Sequence, residues 1–342
     1  MAARWLQRVL PGLRPYDGGT AVVGNAEGGA AQAPVPLAQE GHFTEASFAF
    51  DGKHYPYRLY VPASANPPHA DQSLLRPLIV LLHGCKQDAQ DFAQGTAMNA
   101  LAQAQGCMVL YPEQIPKANQ ARCWNWYEPG HQQLDQGEPG MIAALTRHVL
   151  GRAHEGSQAD PDRVYIAGLS AGGAMAAVVA GLYPDIFAAL GVHSGLPVGA
   201  AQDLLSAFTA MRKGAKKPKE QATSALPTIV FHGSADTTVH PDNGDHITDA
   251  ALAAWKASGL SLEKGQSPVS SDGVAPQPAT QRRVYRSTDD GPSYVEHWRI
   301  DDGPHAWSGG DAAGSFTAPD GPSASAAMLA FFLQHRRPPV AP

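Results

Sequence analysis

Short apolar runs that alternate with helical patterns constrain the fold of this chain more than any other feature. Five such runs have the length of a buried strand, are bounded by turn residues and have helical periodicity between them. Because strands that are apolar throughout are buried on both faces, the pattern predicts an α/β fold with a mostly parallel central sheet flanked by helices. The predicted strands cover residues 77–82, 107–111, 164–167, 188–193 and 227–232, and the helices 93–105, 140–153 and 171–183.

The sequence outside this alternation predicts how the chain is divided. Residues 1–40 are rich in Gly, Ala and Pro without periodicity, which indicates a weakly ordered amino-terminal extension. A single folded domain is expected over residues 41–337, with a basic insertion at 205–223 and a polar insertion at 258–287. The remaining predicted elements are a hairpin of residues 42–50 and 54–62, a strand over 295–300 and a final helix over 323–335.

Charge and hydropathy exclude several classes of protein. The net charge is −6, so there is no overall positive field to hold nucleic acid or an anionic membrane. The most apolar long segment, residues 164–183, is interrupted by glycines and flanked by charged residues, which favours a buried strand and helix over a membrane span. We therefore expect no nucleic-acid partner and no membrane insertion. The sequence makes no prediction of oligomeric state.

The amino terminus and the three cysteines bear on the compartment. Residues 1–14 carry three arginines and no uninterrupted apolar segment, which predicts no signal peptide and a cytoplasmic protein by default. Cys107 lies in an apolar run and is predicted to be a buried thiol. Cys85 and Cys123 flank loops, and a bridge between them would imply an oxidising compartment, in conflict with the missing signal. Because the cysteines lack metal-ligand spacing, no metal site is predicted.

A G-x-S-x-G sequence from Gly168 to Gly172 is placed between a predicted strand and a predicted helix. In this context a sharp, strained turn raises the hydroxyl of the central serine above the sheet. Side chains at 168 and 172 would collide with neighbouring backbone, and the start of the following helix adds partial positive charge. The alternative is a glycine-rich turn with an incidental serine. The context predicts Ser170 as a nucleophile.

A serine hydroxyl reacts only when a base removes its proton, and the base is usually a histidine oriented by a carboxylate. On this topology the acid and the histidine follow the serine in the chain, each on a loop after a later strand. Asp236 and His305 occupy those two loops, so we predict them as the acid and the base. The competing candidates, less well placed in the chain, are Asp242, Asp245, Asp301, Asp302 and His297.

Two backbone N–H groups should stabilise the oxyanion that forms during acyl transfer. One belongs to Ala171, directly after the nucleophile, and the other is expected from the loop after residues 77–82, at Cys85. His83 lies in that loop, and we predict that its ring nitrogens brace the loop, as those of His193 and His232 do at the ends of their strands. These three histidines lack acidic companions at ligand spacing, which argues against a metal site.

The motifs around these residues resemble those of the poly(3-hydroxybutyrate) depolymerase family of esterases. The similarity extends from about residue 76 to residue 310. It is carried by residues 82–87 (LHGCKQ), 111–114 (YPEQ), 123–126 (CWNW), 167–173 (AGLSAGG), 193–195 (HSG), 232–236 (HGSAD) and 305–310 (HAWSGG).

The resemblance implies an α/β-hydrolase fold, a triad of Ser170, Asp236 and His305, and a disulfide linking Cys85 to Cys123. It also implies a serine esterase, without a cofactor, that hydrolyses hydroxyalkanoate polyesters or oligomers or short-chain esters, and a secreted protein. Secreted depolymerases of this family carry a signal peptide and an appended substrate-binding domain. Neither is visible here, so soluble oligomers, amorphous polymer or small esters are the expected substrates.

Alternatives remain for the substrate and for the chemistry. The same family relation includes feruloyl and acetylxylan esterases, and the site would also suit a serine peptidase, an acyltransferase or a non-catalytic binding scaffold. Trp124, Trp126 and Trp307, together with Tyr127, are predicted to line an apolar substrate cleft, with core packing as the alternative.

Overall fold

The computed structural model describes residues 41–63, 74–216, 224–265 and 278–337. The predicted extension at 1–40 and parts of both predicted insertions, residues 217–223 and 266–277, lie outside the described residues.

Thirteen strands are described, in the chain order β1 His42–Phe50, β2 Lys53–Val61, β3 Leu74–Leu82, β4 Met108–Pro112, β5 Ala153–His154, β6 Ser157–Leu169, β7 Ala189–His193, β8 Thr228–Gly233, β9 Glu263–Gly265, β10 Thr280–Arg286, β11 Ser293–Ile300, β12 Trp307–Ser308 and β13 Thr317–Ala318. Seven α-helices are described, α1 Ala89–Thr96, α2 Met98–Gln105, α3 Gly137–Leu150, α4 Ala171–Leu182, α5 Leu204–Lys213, α6 Asp242–Ala257 and α7 Ala324–Phe332, together with a 3-10 helix at Pro129–Gln132.

Eleven strands form one sheet in the order β1-β2-β4-β3-β6-β7-β8-β11-β10-β9, with β5 paired to β6. The central strands from β4 to β11 pair in parallel, and the outer strands are antiparallel. The predicted α/β fold with a mostly parallel central sheet is therefore confirmed. Because parallel strands share one direction, the loops that follow β3, β6, β8 and β11 all emerge at the same edge of the sheet.

Helices cover both faces of the sheet, and each face has its own core. Along β3 the side chains alternate, with Val80 packed into one cluster and Ile79 and Leu81 into the other. Met175 of α4 belongs to the first cluster and Met328 of α7 to the second. This double burial explains why the central strands are apolar at consecutive positions.

The structure corrects three details of the predicted elements. The predicted helix 93–105 is two helices, because Ala97 adopts a left-handed conformation with φ of 50° between α1 and α2. Strand β6 begins seven residues before its apolar run, at Ser157. The polar insertion contains all of β9 and β10, which the sequence did not predict, and the basic insertion contains most of α5.

Candidate active site

The turn between β6 and α4 holds Ser170 in a strained conformation, with φ of 58° and ψ of −120°. Close packing against the end of β3 explains the flanking glycines. A Cβ at Gly168 would overlap the backbone of Gly172, and a Cβ at Gly172 would overlap the carbonyl oxygens of Leu82 and His83. Only glycine at these two positions allows β6 and α4 to approach β3 this closely, which places the serine at the edge of the sheet.

Asp236 and His305, from the loops after β8 and β11, are in contact. His305 Nδ1 lies 2.7 Å from Asp236 Oδ2, so Nδ1 carries the proton and donates to the carboxylate. The lone pair of Nε2 is thereby available to accept a proton. The Asp236 side chain is fully buried and the His305 side chain is 14% exposed, so the base reaches solvent and its acid does not.

Hydrogen bonds keep the buried acid ionised. Burial alone would raise the pKa of Asp236, but hydrogen bonds from His232 and His305 and from the Val239 amide hold it far below its usual range. The other carboxylate oxygen, Oδ1, accepts from the amides of Thr238 and Val239 at 2.9 and 2.8 Å. A carboxylate with this many donors is fixed in orientation as well as in charge.

The second contact of the predicted triad, between Ser170 and His305, is not formed in this structure. Among the described residues, Ser170 Oγ makes no hydrogen bond with His305 or with any other protein group. The serine is 7% exposed and therefore borders the surface at the turn. Catalytic hydrogen bonds in unliganded enzymes are often long and tighten only when substrate binds. The structure thus brings Asp236 and His305 together, and a Ser170–His305 hydrogen bond would have to form when substrate binds.

The two predicted oxyanion donors also lie at this edge. In the described part of the chain, the N–H groups of Cys85 and Ala171 donate to no protein acceptor, which leaves both available to a ligand. Cys85 forms a disulfide with Cys123, as predicted. The Lys86 amide donates to the Ala121 carbonyl at 2.7 Å, so the disulfide and this hydrogen bond together join the loop after β3 to the loop after β4.

Two buried histidines hold the loops of this site, as predicted. His83 Nδ1 donates to Gly84 O at 2.8 Å, and its Nε2 accepts from the Gln114 amide at 3.1 Å. His193, at the end of β7, accepts at Nε2 from the amide of Ser308 in the loop that carries His305, at 3.0 Å. Burial lowers the pKa of His83 to about 4 and that of His193 to about 3. Both rings therefore stay neutral near pH 7 and keep one tautomer.

The tryptophans predicted to line an apolar substrate cleft are buried. Trp124 and Trp307 are 0% and 1% exposed, so neither reaches a substrate, and core packing, the alternative, describes them. Trp124 donates from Nε1 to His83 O at 3.1 Å, while Trp307 stacks on His193 at 5.2 Å between ring centroids. Trp126 is 4% exposed and packs edge-on against Tyr127. The aromatic rings therefore support the loops of the site from beneath.

Three of the competing residues have other partners. Asp245 forms ion pairs with Arg283 and Arg299. His297 is buried in β11 and contacts the same Arg283. Asp242 is exposed at the start of α6, 3.5 Å from His240.

Sequence reasoning missed Glu138, a buried carboxylate that supports the loop after β4. It accepts from the Asn125 amide and side chain, each at 2.7 Å, and from the side chain of Gln114. Gln114 in turn donates its backbone N–H to His83. The only signal in the sequence was a single glutamate ahead of a predicted helix, and glutamate in the first turn of a helix is commonplace.

Within residues 41–63, 74–216, 224–265 and 278–337, no cluster of three or more metal-ligating side chains occurs. None of the helices in these ranges has the length and apolar character needed to span a membrane.

The parallel sheet with a serine at a strained strand-to-helix turn, an Asp–His pair on later loops and helices on both faces defines an α/β-hydrolase. The family described as Esterase PHB depolymerase matches residues 55–257, which is more than half of the chain. The chain belongs to this family, which confirms the resemblance drawn from the motifs.

The chain is similar to esterases with several different names. The chain is 36% identical over 185 residues to poly(3-hydroxyalkanoate) depolymerase C of Paucimonas lemoignei, covering 51% of this chain but only 44% of that protein. It is 31% identical over 248 residues to feruloyl esterase B of Thermothelomyces thermophilus, covering 66% of this chain and 76% of that protein. An acetyl xylan esterase structure from Aspergillus awamori superposes with a TM-score of 0.58 at 17% identity, covering 86% of this chain and all of the other, a likeness that concerns the fold alone.

Proposed function

We propose that this protein is a serine esterase that hydrolyses carboxylic esters through an acyl-enzyme on Ser170. The observation that carries the proposal is the 2.7 Å hydrogen bond from His305 Nδ1 to the buried, ionised Asp236, which leaves His305 Nε2 free to act as a base at the edge of the sheet where the strained serine lies. Membership of an esterase family supports the same chemistry.

The proposed reaction has two halves. In the first, His305 Nε2 takes the proton of Ser170 as Oγ attacks the ester carbonyl, and then returns that proton to the leaving alcohol. In the second, a water molecule gives its proton to the same nitrogen and attacks the acyl-enzyme; the imidazolium then returns the proton to Ser170 Oγ as the bond from Oγ to the acyl carbon breaks and the acid is released. Asp236 stabilises the imidazolium that exists in both halves. The N–H groups of Cys85 and Ala171 donate to the oxyanion of each tetrahedral intermediate.

Replacing the nucleophile tests this proposal directly. We expect a Ser170→Ala variant assayed on p-nitrophenyl butyrate to lose activity by a factor of about 10³ or more, because triad members act as a unit. The wild-type protein should also be labelled by a fluorophosphonate and the variant should not. Turnover that survives in the variant would refute the assignment of Ser170. Absence of both label and turnover in the folded wild-type protein would favour a non-catalytic scaffold.

For the substrate we propose hydroxyalkanoate oligomers, amorphous polyester or short-chain esters. The similarity to a poly(3-hydroxyalkanoate) depolymerase supports this choice. A feruloyl or acetylxylan ester is the second candidate, favoured by the similarity to feruloyl esterase B, which covers more of both chains. A panel of C2 to C12 esters, methyl ferulate and a polyhydroxybutyrate film separates them. Peptide and alcohol acceptors in the same panel test for peptidase and acyltransferase activity.

We further propose that the protein works in an oxidising compartment. The disulfide between Cys85 and Cys123 supports this, because such bonds persist in secreted and periplasmic proteins and are rare in the reducing cytosol. The default cytoplasmic prediction from the first residues is thereby set aside in favour of the disulfide. Fractionation of the source cells with an antibody to the protein tests the location.

A further inference from the structure

The buried acid of the candidate triad has a second imidazole partner. Asp236 Oδ2, which accepts from His305 Nδ1 at 2.7 Å, also lies 3.4 Å from Nε2 of His232. His232 is the penultimate residue of β8, is 1% exposed and is four residues before the acid. One carboxylate oxygen is therefore shared between two histidines.

The surroundings of His232 determine which of its nitrogens carries the proton. Nε2 lies 2.9 Å from the carbonyl oxygen of Val239, and both this oxygen and Asp236 Oδ2 can only accept. Nε2 therefore carries the proton. Nδ1 is buried without a hydrogen-bond partner among the described residues. It faces Gly244 of α6, where a Cβ would come within 2.9 Å of it. The single Nε2–H of His232 donates to Val239 O at 2.9 Å and has Asp236 Oδ2 at 3.4 Å as a second, longer contact, so the ring fixes the Val239 carbonyl and faces the acid.

We propose that His232 is a positioning residue for the esterase reaction, acting through Asp236; this rests on the proposed function. The two amides on Oδ1 hold one side of the carboxylate, and His232 holds Oδ2 in the plane from which it can accept from His305. Without His232, the carboxylate keeps three donors and gains freedom to rotate. His305 then spends less time with Nε2 directed at Ser170.

A second effect is electrostatic. A donor at Oδ2 reduces the negative charge that Asp236 presents to His305. Removing that donor leaves more negative charge facing the imidazolium that forms during the reaction and strengthens the attraction for it. The other charged or titratable groups around His232 are His193 on β7 and His297 on β11, and α6 presents an uncharged glycine to the ring. None of these groups replaces the lost donor.

The test compares His232→Leu, which removes the donor, with His232→Gln, whose amide can donate from near the position of Nε2. We expect the leucine variant to lose kcat by about 10-fold to 100-fold through misplacement of the base, with a smaller change in KM. The acid limb of its kcat/KM profile should move to higher pH. The glutamine variant should recover most of kcat and the wild-type profile.

A matched control separates this role from burial alone. His335 is also a buried histidine that donates to a backbone carbonyl, at Ser293, and it lies outside the site. His335→Leu should lower Tm and leave the pH profile in place. The inference is overturned if His232→Leu changes kcat and the acid limb no more than His335→Leu does. If the leucine variant does not fold, His232→Asn, whose amide is too short to reach Asp236, takes its place against His232→Gln.

The result stays separate from that of the proposed function. If Ser170→Ala abolishes hydrolysis and both His232 variants behave as wild type, only the role of His232 fails. If Ser170→Ala retains hydrolysis, the esterase mechanism fails, and the role assigned to His232 within it fails with it.

Discussion

At the scale of single residues, the disulfide between Cys85 and Cys123 links the proposed oxyanion site to the stability of the fold. Cys85 supplies a candidate oxyanion donor from its backbone, while its side chain is bonded to the loop that carries Trp124. The indole of Trp124 donates to the carbonyl of His83, two residues before Cys85. The position of one backbone N–H is thus controlled from both sides, so loss of the link should reduce activity as well as stability.

A double variant, Cys85→Ser with Cys123→Ser, tests this coupling. The bond spans 38 residues, so its loss should lower the free energy of unfolding by about 2–4 kcal/mol. We also expect a lower kcat on p-nitrophenyl butyrate. Reductant should have the same two effects on the wild-type protein and none on the variant. Alkylation of the denatured, unreduced protein should modify Cys107 alone; three modified thiols would contradict the disulfide.

Residue identity was predictable where chemistry allows few alternatives. Asp236 and His305 were predicted because a serine nucleophile requires an acid and a base on later loops, and the structure places these two in contact. Trp124 and Trp307 were misplaced because an aromatic side chain serves a core and a cleft equally well. Only the direction of the side chain, set by loops that no periodicity describes, decides between the two.

At the scale of elements, α4 is the helix whose amino terminus the site depends on. Its first turn contains Gly172, which packs against the end of β3, and its last turn contains Gly181, where an added Cβ would meet nothing within 4 Å. The two glycines share one helix and differ in function. The first allows close approach, whereas the second only adds flexibility to the unfolded chain.

This contrast gives a matched pair of variants. Gly172→Ala should displace the turn, abolish fluorophosphonate labelling and lower Tm, because the new methyl group overlaps the carbonyls of Leu82 and His83. Gly181→Ala should keep full activity and raise stability by about 0.5–1 kcal/mol. Labelling and thermal unfolding measure both. Equal behaviour of the two variants would contradict the packing role of Gly172.

Element types were predictable from periodicity, whereas several boundaries were not. The break at Ala97 inside the predicted helix 93–105 falls on an alanine, while the nearby Gly95 remains helical, so the sequence does not mark its position. Strands β9 and β10 extend the sheet at its outer edge. A strand in this position does not need to bury both faces, so its sequence can be polar. Pairing with distant strands determines whether such segments form strands, and the local sequence pattern carries no information about that pairing.

At the scale of the whole molecule, buried neutral histidines make stability depend on pH. Burial lowers the pKa of His83 and His335 to about 4 and that of His193 to about 3. Between these values and about 6.5 the unfolded chain binds protons that the folded protein does not. The free energy of unfolding therefore falls as the pH falls through this range, by up to about 1.4 kcal/mol per pH unit for each histidine.

His335→Gln should make this dependence shallower by the contribution of one histidine, because the amide can still donate to Ser293 O but does not titrate. Urea unfolding at pH 7, 6 and 5 measures the slope. The wild-type protein, unfolded under the same conditions, gives the reference slope. An unchanged slope in His335→Gln would contradict the burial of a neutral ring at this position.

The order of the strands predicts when activity returns during refolding. The proposed nucleophile follows β6, the proposed acid follows β8 and the proposed base follows β11, and β7 lies between β6 and β8 in the sheet. The three groups span residues 170–305, so no contiguous fragment that ends before β11 holds all of them. Hydrolysis should therefore return during refolding only after β11 has paired with β8, so that the recovery of activity reports this late step and not the first pairing of the central strands.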